Sequence, residues 1–266
     1  MKLTIGADPE FFVRRGVHCI SGHVFNCGTK HKPLATLHGA VQVDGVALEC
    51  NVKPSSTKED FLSNVLGVVN DLRRIVQDRD PLCSLVARPS VFFGNKKLAA
   101  LPRHIGQLGC SPDFDAYTKK ILSPPRHEIP FRTGAGHIHL GWTEGVNPRN
   151  KQHFDTCCEL AVELDYQLGL PSLLWDKDTR RRRLYGKAGS FRPKPYGMEY
   201  RVLSNHWLNT PGLITFVFEK TQLAFHNYHR GVKFEPYYGE YAKEKINTHD
   251  TSWRECTPGL AKELLS

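Results

Sequence analysis

The chain has no run approaching the roughly 18 to 20 apolar residues of a membrane-spanning helix, so a helical membrane protein is excluded. Its Met-Lys-Leu-Thr start lacks the apolar stretch of a secretory signal, which makes the cytoplasm the expected compartment. Its eight cysteines, Cys19, Cys27, Cys50, Cys83, Cys110, Cys157, Cys158 and Cys256, contain no C-x-x-C pair. They are expected to be reduced thiols in a reducing compartment. There is also no internal repeat and no low-complexity linker, so residues 1–235 are read as a single domain and 236–266 as a C-terminal extension packed on it.

What is present is enough apolar sequence for a substantial core, 40% of 266 residues, and a formal charge of +9. Such a charge suits nucleic acid, an acidic membrane surface or a small polyanion such as a nucleoside triphosphate, and composition does not choose among them. The densest basic run, Arg180 to Arg183, is expected to be a solvated loop. His18, Cys19, His23, Cys27 and His31 have the residue types of a zinc site but not the spacing, so a hairpin loop is expected there.

Alternation in residues 3–13 puts Leu3, Ile5, Ala7, Pro9, Phe11 and Val13 on one face of a strand and Asp8 and Glu10 on the other. Pro9 cannot donate to a ladder, so the strand is expected to lie at an edge there or to be bulged. Residues 41–52 read as a hairpin turning at Asp44-Gly45, with Val46, Leu48, Cys50 and Val52 opposite Ala47, Glu49 and Asn51. A helix is predicted from Ser56 to about Asp78, with Ser56 and Glu59 as a capping box. Frequent Pro and Gly between about 82 and 131 predict loops reaching over a site. A strand follows at 136–141 with His137 and His139 on one face, then a helix from Asn147-Pro148 to Gly169-Leu170-Pro171. Residues 184–192 read as a close-approach loop, and 197–203 as a strand with Glu199 and Arg201 on one face. A last long helix is predicted from Pro211 to about Tyr228, with Leu213, Phe216, Val217 and Leu223 inward.

Four strands with carboxylates, His or Arg on one face and apolar residues on the other predict an antiparallel sheet with one packed and one open face. On the open face, Glu10, Glu49, Glu199 and a histidine are suited to magnesium or manganese, since clustered carboxylates need a cation to offset their repulsion. Arg192 and Arg201 beside them match a phosphate or a substrate carboxylate. This combination fits metal-assisted phosphoryl transfer.

The segments Gly6-Ala-Asp-Pro-Glu-Phe-Phe12, Asp44-Gly-Val-Ala-Leu-Glu-Cys-Asn51, Thr133-Gly-Ala-Gly-His-Ile-His-Leu-Gly141, and Tyr185 to Arg192 through Tyr196 to Asn205 together resemble the phage-type carboxylate-amine ligase family. That family belongs to the glutamine synthetase and glutamate-cysteine ligase superfamily, and the likeness runs over roughly residues 3 to 230. It implies an α+β fold, a curved, funnel-like, mainly antiparallel sheet backed by helices, with ATP entering at one end and the acceptor carboxylate at the other. It further implies Glu10, Glu49, His139 and Glu199 as ligands of Mg2+ or Mn2+, with His137 as the alternative histidine or a nucleotide contact. Lys187, Arg192 and Arg201 would contact ATP and the transferred phosphate. Asp8, Asp44 and Asn51 are further candidates, Cys50 is a packing variation, and the catalytic base stays open among Asp8, Asp44 and Glu163.

The reaction implied is amide or peptide-like bond formation through an acyl phosphate. Its substrates would be a small-molecule or peptide carboxylate and an amine, without membrane or nucleic acid. A phosphotransferase on the same sheet and a basic nucleic-acid-binding protein are the alternatives. A phage origin would place the enzyme in the host cytoplasm and make peptide tagging or cell-wall peptide modification its setting. The oligomeric state stays open, a homo-oligomer included.

Overall fold

The computed structural model describes residues 2–106, 113–122 and 129–265. The first half is strand-rich: β1 (Thr4–Ala7), β2 (Glu10–Arg15), β3 (His18–Ile20), β4 (Gly28–Thr29), β5 (Lys32–Thr36), β6 (Gly39–Asp44) and β7 (Ala47–Ser55) precede α1 (Lys58–Arg79). Short elements follow: β8 (Cys83–Val86), β9 (Ser90–Phe92), α2 (Asn95–Ala99), α3 (Arg103–Gly106), β10 (Phe114–Asp115), β11 (Lys120–Ile121) and β12 (Phe131–Thr133). Next come β13 (Ile138–Gly141), α4 (Lys151–Leu164) and a π turn over Asp165–Gly169 that runs into α5 (Leu170–Ser172). After α6 (Thr179–Leu184), β14 (Ser190–Lys194) and β15 (Gly197–Tyr200), the chain ends in helices: α7 (Pro211–His229), α8 (Glu235–Tyr238), α9 (Tyr241–Thr248), α10 (Trp253–Cys256) and α11 (Pro258–Leu265).

Thirteen strands among the described residues form one antiparallel sheet, with a spine in the order β11-β10-β14-β15-β13-β1-β7-β6-β5-β4. The sheet is backed by helices and is not closed into a barrel, as the α+β reading expects. Its apolar face carries Ile5, Leu48, Cys50, Ile138, Leu140 and Met198, all buried against α1, α4 and α7. Helix α1 answers with Phe61, Val65, Val68, Leu72 and Val76 at three- and four-residue spacing. A second apolar group, Phe12, Val46, Val91, Phe93, Leu98 and Ile105, packs α2 and α3 over the end of the β6–β7 hairpin.

Several local expectations shift. Pro9 divides the first strand without placing it at an edge, because β1 lies between β13 and β7. The β1–β7 register slips between Ile5 and Ala7, and the Pro9 carbonyl accepts from the Cys50 N–H, so no ladder bond needs the missing donor. The hairpin turns at Gly45-Val46, with Asp44 and Ala47 paired across it. Thr57, not Ser56, caps α1 by accepting from the Asp60 N–H. Helix α4 starts after Asn150, which caps it, and the helical path passes Pro171 through the π turn instead of ending there. Leu223 is 39% exposed; Ile214, Phe218, Ala224 and Phe225 fill the inner face of α7 beside Val217.

The arginine run is not a solvated loop. It forms α6, capped by Asp178, and burial of Arg181 and Arg182 to 1% and 3% exposure removes half of it from any nucleic-acid surface. Arg181 donates to the carbonyls of Val202 and Arg201, and Arg182 to the Ser172 hydroxyl. The His and Cys stretch from 18 to 31 carries two short strands and a 3-10 turn, and it supplies no member of the cation-competent groups found among the described residues. The tail is packed, with Trp253 fully buried. Of the loop segment between 82 and 131, residues 107–112, with Cys110, and 123–128 lie outside the described residues. No helix among the described residues is long and apolar enough to cross a membrane.

Candidate active site

The polar face of the sheet lines a cavity of about 450 Å³, within the range of small-molecule sites. Strand register decides which side chains enter it. His139 pairs with Glu199 across β13–β15, and Glu199 pairs with Arg192 across β14–β15, so the three stand in one row on one face. Asp8 follows β1 on the same side, its N–H donating to the His137 carbonyl. The break at Pro9 then hands the chain to β2, where Glu10 is the direct partner of Glu49.

Consequently Glu10, Glu49, His139 and Glu199 do not converge on one point. They divide into two groups, Asp8–His139–Glu199 and Glu10–Asp44–Glu49, and within each group one ligand atom per residue lies within 4.8 Å of the others. Asp8 and Asp44, further candidates in the sequence, are full members. The alternation that puts Asp8 and Glu10 on one strand face is correct for the cavity, but the chain break sends them to different groups.

The first group is rich in compensating cations. Asp8 Oδ2 is 3.2 Å from His139 Nε2, and Asp8 Oδ1 is 3.1 Å from His137 Nδ1. Glu199 contacts the Arg201 guanidinium through Oε1 and lies 2.7 Å from the Lys194 ammonium through Oε2. Burial and Asp8 push the Glu199 carboxyl up, but Arg201, His137 and His139 overrule them and bring it down to about 2. Burial likewise works against ionised Asp8, and the two histidines hold it well below the usual carboxylate range. The histidines part company: burial and Arg201 push His137 down, whereas for His139 Asp8 and Glu199 outweigh burial and push it up. His139 Nδ1 is 2.5 Å from the Tyr196 hydroxyl, which leaves Nε2 facing the carboxylates. His137 sits outside the three-atom group, 3.1 Å from Arg201.

The second group has little such support. Glu10 is raised to about 7 by burial and then by Asp44, although its Oε2 accepts from the Ala135 N–H at 2.9 Å. Glu49 is raised well above the usual range by burial and by Asp8, Asp44 and Glu10, with Lys30 offering a small opposing charge.

Arg192 and Arg201 both line the cavity and both bring Nε to Asp113 Oδ1, at 3.0 and 2.8 Å. Two further expectations are corrected. Lys187 is exposed and does not line the cavity, because the turn between Gly186 (φ +75) and Gly189 (φ +72) carries it outside. Glu163 is remote from the cavity and accepts from the N–H groups of Phe234 and Glu235, so the base candidates that line it are Asp8 and Asp44. Sequence reasoning misses Lys194, Asp113 and Arg181, all lining residues. Lys194 was within reach of the period-2 rule, standing two residues past Arg192 on the same strand face. Asp113 lies in a stretch with no periodicity, and Arg181 hides in a charge run.

Residues 125–249 match the phage phiEco32-like COOH-NH2 ligase type 2 family. The matched segment, just under half of the chain, is similar to that family. It contains His137, His139, Arg192, Lys194, Glu199 and Arg201, whereas Asp8, Glu10, Asp44 and Glu49 precede it. The name of the matched family is that of enzymes that join a carboxyl to an amino group. No curated protein matches the chain.

Proposed function

We propose that the protein is an ATP- and Mg2+-dependent ligase that joins a carboxylate to an amine through an acyl phosphate, Mn2+ being an alternative metal. The observation that carries this reading is the opening of two three-ligand groups onto one cavity that Arg192 and Arg201 also line. A carboxylate is a poor electrophile and repels a phosphate, so the transfer needs concentrated positive charge where negative charge builds up.

The residues fit divalent cations. The first group offers carboxylate oxygens and an imidazole nitrogen and the second offers three carboxylates, and in the first the Asp8 oxygens and His139 Nε2 face one another and His137 within the cavity. Asp8, His139 and Glu199 would hold one ion and Glu10, Asp44 and Glu49 another. Bound there, the ions would neutralise phosphate oxygens. Arg192 and Arg201 would orient the transferred phosphate, with Asp113 fixing their Nε edges. His137, pushed down in pKa, would accept from Arg201 and hold its guanidinium in place. The α2–α3 roof over Phe12 and Val46 would help to keep water from the acyl phosphate.

The test is ATP turnover with Mg2+ over a panel of carboxylates and amines, with mass spectrometry of the product. An amide, with ADP formed only when the carboxylate is supplied, is the expected result. A phosphorylated nitrogen acceptor without an amide would give the phosphotransferase reading instead. Retention of full activity by Glu199→Gln would remove the site from this cavity.

A further inference from the structure

Lys194 ends β14, where its cross-strand partner on β15 is Gly197, and Arg192 two residues earlier faces Glu199. Residues two apart on a strand share a face, so Lys194 reaches Glu199 on the diagonal. The path is open because residue 197 carries no side chain. At φ +147 a Cβ there would run into the Leu140 carbonyl and the Trp142 ring, which makes glycine a requirement. Lys194 therefore places its ammonium 2.7 Å from Glu199 Oε2, while Arg201 takes Oε1. Glu199 is 1% exposed at its side chain and Lys194 29%, so the lysine reaches in from the solvent side.

The other two members of the same group are differently placed. Asp8 and His139 face each other and His137, with no lysine or arginine ion pair to Asp8 among the described residues, whereas one Glu199 oxygen faces the Lys194 ammonium and the other the Arg201 guanidinium. An ion drawing on all three residues must share Glu199 with a lysine whose charge repels it. An ammonium on a flexible four-carbon stem is the partner best able to leave.

We propose that Lys194 competes with the divalent cation for Glu199. A cation entering the Asp8–His139–Glu199 group displaces the ammonium, which turns to the anionic ligand in the cavity. Lys194 thus sets the cation affinity of this group and makes it depend on an anion being present to receive the lysine. This inference rests on the cation-holding reading of the cavity given above.

The test is calorimetric titration of the full chain with Mn2+, without nucleotide, for the unaltered protein and for Lys194→Met, Glu199→Gln and Lys30→Met. Circular dichroism checks that each variant is folded. The binding event abolished in Glu199→Gln identifies the group. In Lys194→Met that event is expected to tighten roughly tenfold, the effect of removing one nearby repelling charge at partly screened range. Lys30 lines the same cavity and acts on Glu49, so Lys30→Met should leave the event within about twofold. Unchanged affinity in Lys194→Met, or equal tightening in Lys30→Met, overturns the competition while leaving the cation site standing. If Glu199→Gln alters no binding event, the reading of the cavity itself fails and the competition with it.

Discussion

Glu10 and Glu49 are direct partners across the β2–β7 ladder, two carboxylates facing each other with Asp44 beside them. Like charges so opposed oppose folding, by up to roughly 1 kcal/mol in ordinary sheets, and here burial and then Asp44 raise Glu10 to about 7, while burial, Asp8, Asp44 and Glu10 push Glu49 well above the usual range. Replacing Glu49 with Gln should therefore stabilise the protein in chelator, raising Tm by about 2 to 4 °C for a chain of this size. The same change should shrink the stabilisation that added Mg2+ gives by binding the folded state. Melting curves in EDTA and in Mg2+ measure both. An unaltered Tm with an undiminished Mg2+ response would place the cation elsewhere.

The α1 cap gives a control remote from the chemistry. Thr57 accepts from the Asp60 N–H and its hydroxyl donates to the Asp60 carboxylate at 2.7 Å. Thr57→Ala should cost about 1 kcal/mol, whereas Ser56→Ala, which removes no cap, should stay within about 0.5 kcal/mol. Urea denaturation distinguishes them, and neither change should alter turnover.

That one-residue displacement of the cap shows where sequence reading holds and where it stops. Alternation around His137 and His139, and around Glu49 and Glu199, is a local consequence of the pleat, so the faces were legible. The grouping was not, because it depends on which strands pair. Asp8 and Glu10 are separated by the break at Pro9 and by the different partners β1 and β2 meet, and neither is a property of the segment alone. Arg181 and Arg182 mislead for a related reason: their burial is decided by the carbonyls of Val202 and Arg201 and by Ser172, which come to them only in the folded chain. Asp113 has no local signature at all, since its role is defined by Arg192 and Arg201, far along the sequence.

Asp165 supplies a pH dependence. It opens the π turn and accepts from the hydroxyls of Tyr200 and Tyr117 and from the Gly189 N–H, yet burial outweighs these donors and raises its carboxyl to about 7. The folded chain thus holds this proton more tightly than the unfolded chain, whose carboxyl titrates near 4. The stabilisation is complete below the unfolded value, falls as pH rises between the two, and is lost once pH passes about 7. Asp165→Asn should flatten this part of the profile, its amide facing Tyr200, whose hydroxyl can turn to accept. Denaturation between pH 5 and pH 8 tests it, and an equally steep profile in the variant would assign the dependence to another group.

Gly186 and Arg181 are coupled through the turn that leads into β14. At φ +75, a Cβ on residue 186 would meet Arg181 Nη1 and the Val202 carbonyl, the same carbonyl to which Nη1 donates at 2.7 Å. Gly186→Ala should therefore cost about 1 to 3 kcal/mol from backbone strain alone, with displacement of the guanidinium adding to it. Arg181→Met leaves the Val202 and Arg201 carbonyls short of donors and should cost about 1 to 3 kcal/mol for each group left buried and unpaired. Once Arg181 is gone, half of the obstacle to a Cβ at 186 is gone too. The double variant should then be less destabilised than the two single changes added together, by more than about 0.5 kcal/mol. Strict additivity in a double-mutant cycle would mean that the Gly186 turn meets only the Val202 carbonyl. Because Arg181 holds the backbone of Arg201, both single variants should also lower turnover by more than their loss of folded protein explains, and that excess separates a positioned arginine from a merely stable one.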